Sequence, residues 1–195
     1  MTVTTQKLTF EEYLAYEDGT DTRYELVDGN LKAMSVGTGI HALIIDFLAE
    51  QFKLVLAEWD EPHKAMSGAI GVRSPRGGRQ NTSRIPGITV LPLAQAKSMI
   101  GREAVIDFNE PPPLLVVEVV SPSTKTEDYW AKRPEYDILE IPEYWIVDPL
   151  SEQITIFVTE DGLYTPHEFR GEEKIQSPTF RSLNLKAAQV LAGGL

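Results

Sequence analysis

The chain has 195 residues, 42% of them hydrophobic and 24% charged, with a net charge of −11. This is the composition of an ordinary globular protein, long enough for one domain with a sizeable core. It holds no cysteine, which excludes disulfides, thiolate metal sites and a cysteine nucleophile. The polar start, Met1 to Phe10, and the lack of any apolar run of about 20 residues argue against a leader and a membrane span, so a cytoplasmic protein is expected.

The acidity opposes nonspecific adhesion to nucleic acid, but the charge is uneven. Residues 11–30 carry seven acidic side chains. Arg73, Arg76, Arg79 and Arg84 share a later stretch rich in Gly, Ser and Asn with no acidic residue. That stretch reads either as a solvated loop or as a basic flap that touches phosphate.

In chain order, Thr9 to Leu14 reads as a short helix, with Thr9 and Glu12 spaced as a capping box. Arg23 to Leu31 alternates around Asp28-Gly29-Asn30 and reads as a hairpin. Glu25, between Tyr24 and Leu26, would face solvent in that hairpin. Ile40 to Ala57 carries an apolar stripe at helical spacing. Ala69 to Arg73 and Ile88 to Leu91 are candidate strands on either side of the arginine loop.

Leu114 to Val120 is the most informative segment. It is a short run of Val and Leu, bounded by prolines and interrupted by Glu118 alone. Such a run is a buried central strand. A carboxylate there is costly unless paired, with a metal ion or a basic side chain. After it, Thr124 and Glu127 are spaced as a second capping box, so a helix should follow. On that helix Asp128, Lys132 and Tyr136 are four apart and share one side. Lys132 reads as an ion-pair partner of Asp128, and Pro134 should kink or break the helix near Arg133. Glu143 to Asp148, Gln153 to Thr159 and Leu163 to Phe169 read as strands, and Leu183 to Leu191 as a closing helix. Helices among short strands give an α/β or mixed α+β class in a single domain, 1–195.

Three histidines without ligand spacing make zinc a poor candidate. No Gly-x-Ser-x-Gly elbow, phosphate loop or Rossmann fingerprint is present. Carboxylates are the available ligands, which favours magnesium or manganese.

Taken in order, several pieces resemble the Uma family of putative endonucleases, within the restriction-endonuclease-like, PD-(D/E)xK superfamily. They are Tyr24 to Gly29, Met34-Ser35, His41, Val117 to Thr124, Asp128, Lys132, Tyr136 and Glu143 to Pro149. The likeness runs from about Leu8 to Phe169. It implies a mixed sheet flanked by helices and a Mg²⁺ or Mn²⁺ site for hydrolysis of DNA phosphodiesters. It makes Glu118 the strand ligand, Lys132 a catalytic lysine moved onto the next helix, and Glu25 a further ligand. Arg73, Arg76, Arg79 and Arg84 would contact DNA, and folds of this kind often act as homodimers or larger homo-oligomers. The departure is Pro86-Gly87, which stands where the family has Pro-Asp. Loss of that aspartate predicts a weakened nuclease or, alternatively, an inactive nuclease-fold binding module. A hydrolase of another phosphorylated substrate is a third reading without specific support.

Overall fold

The computed structural model describes residues 7–195. Their elements are α1 (Phe10–Leu14), β1 (Tyr24–Val27), β2 (Asn30–Ala33), α2 (Gly39–Leu56), β3 (His63–Ser67), β4 (Gly71–Arg73), β5 (Ser83–Arg84), β6 (Ile88–Pro92), α3 (Leu93–Ser98), β7 (Val105–Ile106) and β8 (Leu115–Val119). A π-helix (Glu127–Lys132), α4 (Arg133–Ile138), β9 (Glu143–Asp148), β10 (Gln153–Glu160), β11 (Leu163–Phe169) and α5 (Ala187–Leu191) follow. The strands form two sheets, ordered β11-β10-β9-β8-β6-β3 and β2-β1-β5-β4-β7. Both are mixed: β8 pairs parallel with β9, and β4 with β7, among antiparallel neighbours.

Strand β8 is buried along its whole length, because helices cover both faces of its sheet. Leu115, Val117 and Val119 pack towards α2 and α5, against Ile44, Leu48, Phe52 and Val190. Val116 and the adjoining Val120 pack the opposite way, against Tyr136 of α4, Tyr144 and Phe157. Strict alternation therefore places Glu118 on the α4 face. The crossover from β8 to its parallel neighbour β9 runs through the π-helix and α4, which lay their side chains over that face.

The capping box at Thr9 forms as its spacing predicts. The second one does not. Thr124 Oγ1 accepts the Ser121 N–H at 3.1 Å, while Glu127 turns to Arg84 and Lys32. The helix opens at Lys125 and Thr126, widens to a π-helix over Glu127–Lys132 and returns to α at Arg133, with Pro134 in that first α turn. Proline has no N–H for an i→i−4 bond, so the wider π turn precedes it where a kink was expected. Helix α5 is shorter than its sequence suggests. Leu183 and Leu185 lie outside the helix and bury themselves in the main core.

Candidate active site

A cleft of about 440 Å³ opens between the first hairpin, the start of α2 and the C-terminal end of β8. Glu25, Gly87, Glu118, Asp128 and Lys132 all line it, as do Arg23 and His41. At its floor, Lys132 Nζ lies 2.9 Å from Glu118 Oε1 and 2.9 Å from Asp128 Oδ1. The Tyr136 hydroxyl donates to the same Glu118 oxygen at 3.1 Å. All four side chains are buried. The structure thus brings the strand glutamate and the helix lysine together from separate elements. Lys132 also meets Asp128, so the two partners suggested by sequence are held at once.

The electrostatics follow from two carboxylates sharing one ammonium. Burial pushes the Glu118 carboxyl up to about 7; Lys132 pulls it down, and Asp128 pushes it further up. Burial alone would lower the Lys132 ammonium, but Glu118 and Asp128 outweigh it and hold the group above its ordinary value. Lys132 stays charged, held between two carboxyl groups. Neither Asp128 oxygen accepts a hydrogen bond, although both are sealed from solvent. The 2.9 Å approach of Lys132 is a charge contact without hydrogen-bond alignment.

Glu25 does not face solvent as the hairpin pattern suggests; it is buried. Its Oε1 accepts the Ile85 N–H at 2.9 Å and its Oε2 lies 3.3 Å from an Arg84 nitrogen. Both oxygens are engaged, so Glu25 serves Arg84 rather than standing open to a cation. The Gly87 carbonyl is already engaged once, accepting the Gly68 N–H at 2.9 Å. A Cβ built on Gly87 would come within 3.2 Å of Ile45 Cδ1 and 3.2 Å of the Val117 carbonyl. The ground an aspartate would occupy has been partly taken over by Ile45.

The arginine loop also departs from expectation. Arg84 is fully buried and forks onto Glu135 at 2.8 and 3.0 Å, so it cannot touch DNA. Arg73 pairs with Asp107 at 3.0 Å and lies over the Phe10 ring, 4.0 Å from its centre. Arg76 pairs with Glu135 at 2.7 Å and Arg79 with Asp28 at 2.5 Å. The loop is basic in sequence but neutralised in space, because carboxylates distant in the chain fold back onto it. Arg76 and Arg79 alone of the four keep substantial exposure.

Sequence reasoning undervalued Asp128, read there as an ion-pair partner, although its spacing to Lys132 and Tyr136 carried the signal. It gave no hint of Glu135, whose importance depends on Arg84 arriving from another sheet.

A family model described as a putative restriction endonuclease, Uma2, matches residues 10–188. The chain belongs to the Uma2 family. A solved structure, a putative nuclease belonging to DUF820 from Anabaena variabilis, superimposes with a TM-score of 0.70 at 17% identity, covering 96% of this chain and 99% of that one. At that identity the likeness speaks for the fold, which is restriction-endonuclease-like. No curated protein matches the chain. Uma2 membership supports a nuclease-like function. Among the described residues, no helix is long and apolar enough to cross a membrane.

Proposed function

We propose that this Uma2 protein is a metal-assisted endonuclease that hydrolyses DNA phosphodiesters slowly, in the cytoplasm. The observation that carries the reading is the contact of Lys132 with Glu118 at the floor of an open cleft. The donor chemistry fits a hard cation, since two buried carboxyl groups, Glu118 and Asp128, converge on one point at the floor. No group of three or more His, Asp or Glu converges among the described residues, so the protein offers no complete cage. Mg²⁺ or Mn²⁺ commonly uses one or two carboxylates and takes its remaining ligands from water and substrate phosphates. Glu118 would hold it, and when bound it would stabilise charge building on the phosphate. Lys132 keeps a proton at Nζ and can position a water or a phosphate oxygen beside Glu118. Gly87, in place of the aspartate, is the reason for slow turnover. A homodimer would give this acidic chain a composite surface for DNA.

Plasmid nicking in Mg²⁺ and Mn²⁺ tests the reading. Wild type should nick slowly, Glu118→Gln and Lys132→Met should fall about tenfold or more, and Gly87→Asp should gain. Equal nicking by wild type and Glu118→Gln would remove Glu118 from the chemistry. DNA binding without nicking in any variant would favour the inactive binding module, to which the engaged Glu25 and Gly87 already lend some weight.

A further inference from the structure

We infer that Asp128, supplied by the π-helix, is the second divalent-cation ligand of this site and takes over the role left vacant at Gly87. The inference rests on the metal-assisted reading and names the residue that completes it. A buried carboxylate normally accepts hydrogen bonds at both oxygens. Asp128 is 1% exposed, lines the cleft and accepts none. Its nearest charge, Lys132, is shared with Glu118, so the two carboxylates lie within reach of one cation. Other oxygens that could have served are already engaged: Glu25 by Arg84 and Ile85, and the Gly87 carbonyl by Gly68. Two carboxylates are a set magnesium tolerates, leaving positions for water and phosphate. The π turn belongs to the same device, because wide turns of this kind recur at functional sites and this one carries Asp128 and Lys132 together over β8. In this arrangement the Lys132 ammonium is a tethered competitor of the metal, which weakens affinity in the absence of substrate.

The test is Mn²⁺ binding without DNA, by calorimetry and by Mn²⁺-induced change in Tm, with circular dichroism to verify folding. Asp128→Asn and Asp128→Ser should each lose about tenfold in affinity, and Glu25→Gln should stay within about threefold of wild type. Lys132→Met should bind about tenfold more tightly, an outcome that a purely structural ion pair would not produce. Wild-type affinity in both Asp128 variants would overturn the assignment, as would a loss confined to Glu25→Gln. So would an absence of Mn²⁺ binding in both wild type and Lys132→Met. Tight Mn²⁺ binding that needs Asp128, together with no nicking of DNA, would defeat the nuclease reading and leave the metal pair standing.

Discussion

At the scale of single residues, Gly87 is closely hemmed in by its neighbours. The Ile45 side chain and the Val117 carbonyl each stand 3.2 Å from where a Cβ would be. A side chain at position 87 must therefore push Ile45 aside, since the backbone carbonyl in a central strand cannot yield. Gly87→Ala isolates this steric effect from charge. It should destabilise the fold by about 1–2 kcal/mol. Ile45→Val removes the Cδ1 atom, so the double variant should be less destabilised than the sum of the single changes. Urea denaturation of the four proteins in the cycle checks this; strict additivity would mean that Ile45 has not moved into the vacated ground. The same geometry explains why restoring the aspartate alone should recover only part of a full site.

At the scale of elements, the segment from Glu127 to Ile138 does two jobs on two sides. One side brings Asp128, Lys132 and Tyr136 to Glu118. The other presents buried Glu135 to Arg84 of β5, which links the second sheet to the crossover helix. Burial would lower the Arg84 charge, but Glu135 overrides it and holds the guanidinium above its ordinary value. Arg84→Met would leave Glu25 buried without its cation and Glu135 with Arg76 alone, and should cost about 3–5 kcal/mol. Arg84→Met combined with Glu135→Met should recover part of that loss, because it removes one of the carboxylates left short of a cation. Denaturant melts decide the matter: a cost under about 1 kcal/mol for Arg84→Met would mean that the pair is solvated and dispensable. Legibility in the sequence divides along the same line. Local pattern was enough for β8, for the α2 stripe and for the hairpin whose Asp28 and Gly29 adopt positive φ. It also put Asp128, Lys132 and Tyr136 on one side of a helix. It could not show β5 or β7, which are two residues long and carry no periodicity. Nor could it show that Glu25 is captured by Arg84, because that contact depends on β1 pairing with β5 across a long loop. The Thr124 capping box misled because the same hydroxyl found a nearer donor in Ser121.

At the scale of the whole molecule, the proposed function requires an acidic chain of net charge −11 to approach a polyanion. The arginine loop offers less than its sequence suggests, since Arg84 is buried in an ion pair and Arg73, Arg76 and Arg79 are paired with carboxylates. Lys32 and Lys125, near the cleft, are paired with Glu127 and Asp148. Around the cleft few cations besides Arg23 are thus free to displace counterions from DNA, and affinity depends on salt in proportion to the number that do. With about two or three phosphate contacts, the slope of log K against log salt should be about −2 to −3. A strongly basic reader with six or more contacts would be much steeper, roughly −6 or beyond. Divalent ions should act in the opposite sense to sodium at low concentration. On the proposed reading a cation held at the cleft floor bridges its carboxyl groups to phosphate, so Mg²⁺ at constant ionic strength should tighten binding. Fluorescence anisotropy on a short duplex, titrated in sodium chloride with and without Mg²⁺, measures both effects. A steep slope together with loss of binding in Mg²⁺ would show that DNA is held by a basic surface away from this cleft. A shallow slope with Mg²⁺-dependent tightening, abolished in Glu118→Gln, would tie the electrostatics of the whole molecule to the carboxylate in its central strand.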